Sequence, residues 1–414
     1  MPQPKLIDKG TSYCFSWDEY KLDCTVSGVR EHRDGRMTCI VLFTTSDSEY
    51  NPHLLEQNFN LLGTSQAKTL LKNALLKVYQ VKVDWDEVIG QICAITLNIL
   101  RQGEPIHEIW TDDKVYPLEY KLYPILPEGE PTLLFADGGS GKSSIGLFLA
   151  CCIALPWQDN PLGFKPKYGK PLYLDWETNR STFTRRISWV RRGHNLPEFA
   201  LSYRRCSLPL SDDMNAIYAI VKENQFDMLI IDSVIGAAKG NVNDSEVAQD
   251  FFRAVRRLDV TSLIIHHTAK QTVGSKSPFG SAYFSNEARS VWELSKQQEP
   301  GDNKLSIMLS HYKSNDDTRH QPIGVDVMFD KIEGKTTFSK ANIEDTAEFQ
   351  GKLSLRKRIH NTLKSDALSL KDIVDVLGVP YQQVANTLGK MKKEGEALRL
   401  PDSRWALPVK SDGL

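Results

Sequence analysis

The chain of 414 residues contains no apolar run approaching the roughly 20 residues that a membrane-spanning helix needs, which excludes a helical membrane protein. Its first residues, Met-Pro-Gln-Pro-Lys, carry no apolar stretch of the secretory type, so the expected location is cytoplasmic, with no membrane partner. The seven cysteines form no Cys-x-x-Cys pair and share no metal-type spacing with histidine. Cys14, Cys24 and Cys39 fall in strand-like segments, and Cys151 and Cys152 in an apolar helix, so all read as reduced core thiols rather than ligands. Net charge is also missing: the formal value is −1, so any contact with nucleic acid must come from local patches rather than bulk attraction.

What the chain does have is a Gly-rich stretch around which the rest is arranged. Residues 132–150 read as an apolar strand (Leu133, Leu134, Phe135), a small-residue turn, and an apolar helix with Ile145, Leu147, Phe148 and Leu149. Strand, loop and helix in that order are the context of a P-loop. The residues expected to surround a nucleotide's phosphates are Ala136, Asp137, Gly138, Gly139, Ser140, Gly141, Lys142, Ser143 and Ser144. Glycines let backbone N–H groups turn inward, and the helix N-terminus adds a favourable partial charge. Lys142 is expected to reach the β- and γ-phosphates of ATP, and the Ser143 hydroxyl to ligate Mg²⁺. Ala136 stands where the motif usually has its first glycine, which is tolerable as long as φ is not positive there.

Residues 1–118 read as a separate α+β domain. Segments 12–16, 23–29 and 37–45 are expected as strands, with Asp34-Gly35 turning between the last two, followed by helices at about 64–79 and 86–102. This part holds 12 Lys/Arg against 16 Asp/Glu and no catalytic constellation. A linker rich in Pro, Gly and Tyr, Gly103 to Pro131, leads into the P-loop strand. From 119 to 342 strands and helices alternate, which implies a parallel sheet with helices on both faces. Ser211-Asp212-Asp213 is expected to cap a helix and supply acids to its first turn. Four strands near 290–295, 304–311, 323–329 and 334–338 are expected as antiparallel additions.

Residues 350–410 carry another signature. Three helices are expected, one with Leu355, Ile359 and Leu363 and one opened by the capping box Ser369-Leu-Lys-Asp. The third holds Val384, Leu388 and Met391 inward, and a hairpin from Leu398 to Leu407 with Asp402-Ser403 at its tip completes a winged helix-turn-helix pattern. This segment has 12 Lys/Arg against 6 Asp/Glu, the reverse of the N-terminal balance. Gln382, Gln383, Asn386 and Lys390 on the third helix are of types that read base edges or phosphates. Lys392, Lys393 and Arg404 add charge for backbone contact, while a protein-docking role for the module stays open.

Ligand sites in parallel α/β sheets lie at the carboxyl ends of the strands. Asp232 ends the apolar strand Met228-Leu-Ile-Ile-Asp and is the candidate to hold Mg²⁺. Glu177 ends Leu174-Asp-Trp-Glu, where a carboxylate can orient and deprotonate the water attacking the γ-phosphate. Asp175 competes for that role, but Glu177 lies nearer the open edge. His267 ends the strand from Ser262 and is the candidate γ-phosphate sensor, with His266 the lesser choice.

Six short stretches, in this order, resemble the RepA-like AAA ATPases, a RecA-fold group that includes hexameric plasmid replicative helicases. They are Ala-Asp-Gly-Gly-Ser-Gly-Lys-Ser at 136–143, Tyr-Leu-Asp-Trp-Glu at 173–177, Leu-Ile-Ile-Asp-Ser at 229–233, Gly-Asn-Val-Asn-Asp at 240–244, His-His-Thr-Ala-Lys at 266–270 and Phe-Gly-Ser-Ala at 279–282. The resemblance covers roughly 120–340. It implies a RecA-like P-loop core in which Lys142 and Ser143 bind phosphate and metal, Asp232 is the Walker B acid, Glu177 the catalytic glutamate and His267 the sensor. It also implies a basic residue reaching a neighbour's γ-phosphate, for which Lys313 and then Arg319 fit the place. Channel-facing DNA loops would carry Lys239, Lys270 and Lys276. The expected protein is a ring-forming Mg²⁺-ATP hydrolase on DNA, a homo-oligomer of hexameric type with replication, phage or plasmid partners. A helicase or translocase leads; a DNA-binding ATPase switch without unwinding is the alternative, and a small-molecule P-loop kinase is disfavoured by Glu177.

Overall fold

A computed structural model describes residues 3–10, 12–32, 34–102, 106–268, 277–343, 349 and 353–408. Two compact units are present, Met1–Pro117 with Asp212–Gln225, and Leu118–Ser211 with Phe226–Leu414.

In the first unit, β1 (Lys5–Asp8), β2 (Ser12–Trp17), β3 (Leu22–Glu31), β4 (Met37–Thr45) and β5 (His53–Asn60) form an antiparallel meander in chain order. Strict alternation in β3 buries Leu22, Cys24 and Val26 on one face, and α1 (Ser65–Val78) and α2 (Trp85–Gln102) supply the other side of that core. Five strands stand where three are legible. β1 buries nothing, and β5 buries only Leu54 and Phe59 among polar neighbours, so neither carries an apolar pattern.

The second unit begins with β6 (Tyr120–Tyr123) and β7 (Leu126–Pro127), short strands inside the segment expected as linker. Then come β8 (Pro131–Ala136), α3 (Lys142–Ala154), β9 (Lys165–Pro166), β10 (Pro171–Asp175), α4 (Arg180–Gly193) and β11 (Ser202–Arg205). The next helix, α5 (Met214–Asn224), groups with the first unit. Asp213 is its N-cap residue but makes no side-chain cap bond, and no acid lies in the first turn, so the expected acidic cap is corrected.

β12 (Met228–Asp232), α6 (Val234–Ala237), α7 (Ser245–Arg257), β13 (Thr261–His267) and α8 (Tyr283–Glu287) follow, then β14 (Ser290–Gln297), β15 (Lys304–Ser314), β16 (Ile323–Asp330) and β17 (Lys335–Lys340). The large sheet has the order β11-β10-β12-β13-β8-β14-β15-β16-β17. All pairs from β11 to β14 are parallel, and only those from β14 through β17 are antiparallel. The expectation for 290–295 is therefore corrected: β14 joins β8 in parallel, because an apolar run fixes a strand but not its direction.

Every residue of β8, β10 and β12 is buried, as strands covered on both faces require. α3 is apolar all round because nearly its whole length is enclosed, from Ile145 to Ile153.

The C-terminal segment has α9 (Leu355–Thr362), α10 (Leu370–Leu377), α11 (Tyr381–Lys393), β18 (Leu398–Arg399) and β19 (Trp405–Ala406). Ile359, Ile373, Val384, Leu388, Met391 and Trp405 make its own small core. Ser369 and Asp372 cap α10 reciprocally, Gly378 ends it at φ +61°, and Leu368 bridges to Trp405. No helix among the described residues is long and apolar enough to cross a membrane.

Candidate nucleotide site

β8 delivers the chain to the sheet's carboxyl edge, and the loop after it turns on Gly139 at φ +63° and Gly141 at φ +87°. A side chain at Gly141 would press on the side-chain ends Leu305 Cδ2 at 2.9 Å and Ile307 Cδ1 at 3.0 Å, and its left-handed φ strains any residue with a Cβ whatever the space. Ala136 is the last strand residue, is buried, and is not among the positive-φ residues, which is why alanine is accommodated. Ser140 Oγ donates to Asp137 O at 2.7 Å and braces the loop. Lys142 opens α3, and its Nζ donates to Ala136 O at 3.0 Å and Asp137 O at 2.8 Å. Burial lowers the Lys142 pKa, opposed by Glu177, Asp232 and Asp137.

Register brings the other strand ends alongside: Asp175 pairs with Asp232, Asp232 with Ile265, and His267 with Ala136. Asp232 is 2 % exposed, and its Oδ2 accepts from Tyr173 OH at 2.5 Å. Burial raises its pKa, against hydrogen bonds from Tyr173 and Ser143. Its Oδ1 is buried with no hydrogen-bond partner. An orphaned carboxylate oxygen beside a serine hydroxyl at a helix N-terminus is a donor set of the hard, oxygen-only kind that suits Mg²⁺.

Glu177 Oε1 accepts from Ser233 Oγ and lies 3.4 Å from His267 Nε2. Three strand ends are thus joined through one carboxylate. Asp175 is used differently: it is 1 % exposed and accepts from Glu177 N and Thr178 N, both at 2.8 Å, from Thr178 Oγ1, and from Tyr203 OH at 3.2 Å. With its oxygens committed, Asp175 shapes the turn that carries Glu177. His266 is fully buried; its Nε2 pairs with Phe279 O at 2.8 Å, and burial pushes its pKa down to about 4. It therefore stays a neutral ring next to the partly exposed His267.

A cavity of about 690 Å³ collects Lys142, Ser143, Glu177, Asp232 and His267. It is also lined by Arg185, Arg186 and Trp189 of α4, and by Gln298, Phe329 and Lys331 from the antiparallel side of the sheet. Lys296 Nζ donates to Gly139 O at 3.0 Å and so reaches the P-loop as well. Sequence reasoning missed all seven. Arg185, Arg186 and Trp189 look like the solvated face of an amphipathic helix, and the others are brought in only by strand order.

Lys313 and Arg319 are not in this cavity. The Lys313 ammonium donates to Ser285 O, Asn286 O and Ala288 O at 2.8–2.9 Å, and burial and Arg289 lower its pKa. All three of its protons secure the end of α8, so the expectation that it is offered to a neighbour gives way. Arg319 is exposed between β15 and β16. Lys239 is exposed, whereas Lys270 and Lys276 lie outside the described residues. Gln382, Gln383, Asn386, Lys390, Lys392, Lys393 and Arg404 are all exposed, and Arg404 Nε donates to Asp402 Oδ2 at 2.7 Å.

Residues 105–273 match the family model described as an AAA domain. Among solved structures, the chain is similar to a KaiC-like protein of the hyperthermophilic archaeon Pyrococcus horikoshii OT3, at 16% identity and TM-score 0.36, over 53% of this chain and 94% of that one. No curated protein matches. The matched stretch holds the P-loop together with Glu177, Asp232 and His267, the residues that meet in the cavity, as a P-loop ATPase domain requires.

Proposed function

We propose that this chain is a Mg²⁺-dependent ATP hydrolase that forms rings and couples hydrolysis to movement on DNA, as a replicative helicase or translocase does. The observation that carries the hydrolase reading is the meeting of Lys142, Asp232, Glu177 and His267 in one cavity at the sheet's carboxyl edge. Ser143 and Asp232 would hold Mg²⁺, which when bound neutralises charge on the β- and γ-phosphates. Loop N–H groups and Lys142 bind the phosphates. Glu177, an exposed carboxylate held by Ser233, orients the attacking water and takes its proton at an Oε atom. His267 touches the same carboxylate and is suited to sense the γ-phosphate. Arg319 is the cation we assign to a neighbour's site.

Action on DNA rests on the C-terminal segment. Its helix–helix–helix–hairpin order and its exposed Gln382, Gln383, Asn386 and Lys390 support a DNA-reading winged helix. The experiment is ATP hydrolysis and strand displacement on forked DNA, with the full chain and with residues 350–414 deleted. The reading expects DNA-stimulated hydrolysis and displacement by the full chain. It also expects DNA affinity that falls steeply with salt and drops on deletion, with basal hydrolysis retained. Hydrolysis without displacement identifies the ATPase-switch alternative; equal DNA binding by both chains assigns the module to protein docking.

A further inference from the structure

Residues 106–116 carry an extended strap with no helix or strand. Within it Ile106 is 97 % exposed, Ile109 87 %, Trp110 84 %, Val115 90 % and Tyr116 76 %. Single exposed apolar side chains need no explanation, but a contiguous set marks a surface that is covered by something else. The strap is also acidic: Glu108, Asp112 and Asp113 stand against Lys114 alone. Lys114 Nζ lies 3.9 Å from Asp112, and Tyr116 OH donates to Asp112 Oδ2 at 2.8 Å.

The Leu118–Ser211/Phe226–Leu414 unit holds a second cavity of about 690 Å³ that shares no lining residue with the nucleotide site. Its walls include apolar Leu162, Phe164 and Ile323, and three lysines, Lys165, Lys340 and Lys357. No Asp or Glu stands among its described lining residues. Strap and cavity are opposite in sign and alike in apolar content.

We propose that the 106–116 strap of one copy docks into this cavity of a second copy. Trp110 and Ile109 anchor it on the apolar wall, and Glu108, Asp112 and Asp113 face the lysines. A buried aromatic supplies affinity, whereas the charges set orientation and exclude wrong partners. Each copy has one strap and one cavity, so the contact is head-to-tail and can repeat around a ring. This takes its second copy from the ring-forming reading above, but its test reads association rather than hydrolysis.

The full-length chain is followed by sedimentation velocity over a concentration series without nucleotide, each variant first checked for folding by circular dichroism. Trp110→Ala is expected to weaken self-association by about thirtyfold or more, the scale of a lost aromatic anchor. A strap variant (Glu108→Lys, Asp112→Lys, Asp113→Lys) and a cavity variant (Lys165→Glu, Lys340→Glu, Lys357→Glu) are each expected to lose association alone and to regain it when mixed. A monomeric parent chain, variants that associate like the parent, or a mixture that stays monomeric would each overturn the proposal.

Discussion

At the level of single residues, the two carboxylates of Asp-Trp-Glu are separated by hydrogen bonding rather than by position. Asp175 is saturated by donors within its own turn and strand neighbour, while Glu177 stands out from the edge with Ser233 and His267 on one oxygen. Burial divides the histidines in the same way. His311 stacks on Trp292 at 4.3 Å, its Nδ1 accepts from His320 N at 3.0 Å, and its pKa is pushed down to about 4 by burial and by His320. Asp317 and Arg319 are the other charges that act on it, in opposite senses. Between about 6.5 and about 4 the unfolded chain binds more protons at this group than the folded one does. Stability should therefore fall as pH drops through that window. The thermal midpoint measured against pH should show this slope, and His311→Gln should flatten it; an unchanged slope would assign the effect to other groups.

At the level of elements, the P-loop depends on two glycines with left-handed backbone and on the strands that crowd it. Gly141→Ala puts a Cβ at φ +87° against Leu305, and it should abolish nucleotide binding measured by equilibrium titration while the far-ultraviolet spectrum stays that of the parent. Binding at the parent affinity would mean that the loop adapts. The P-loop was legible in the sequence because its chemistry is local: strand, turn, lysine and helix are contiguous. Asp232, Glu177 and His267 were legible at the next remove, since each ends an apolar strand and parallel strands end together. What stayed hidden depends on strand order. Nothing local to 290–297 says that β14 runs parallel to β8, and only that pairing carries Lys296 to Gly139. Lys313 was misjudged for the same reason: its sequence place suggested reach, and its three carbonyl partners lie 25 to 28 residues away.

At the level of the whole molecule, the charge balance is divided, acidic across 1–118 and basic across 350–410, with a net of −1 overall. The basic balance of 350–410 is what the proposed DNA contact draws on. The site gathers Lys142, Ser143, Asp232 and Glu177 from a single chain, with Arg185, Arg186 and Lys331 of the same chain on the cavity wall, and if rings form Arg319 is the cation we assign to a neighbour's γ-phosphate. An arginine in that role is worth roughly 10³–10⁵ in rate. Arg319→Ala should therefore lower turnover while nucleotide binding persists. Mixing it with Glu177→Gln chains should restore activity at interfaces that pair an intact Glu177 with an intact Arg319. No recovery in proven mixed assemblies would rule out a shared site.

The central claim is that this cavity hydrolyses Mg²⁺-ATP with Glu177 as the base. A single-turnover measurement of γ-phosphate release by the parent and Glu177→Gln chains, with ATP affinity determined alongside, addresses it most directly. The expected result is unchanged affinity with hydrolysis reduced by on the order of a hundredfold or more, the scale of a lost general base. Release at the parent rate by Glu177→Gln would contradict it.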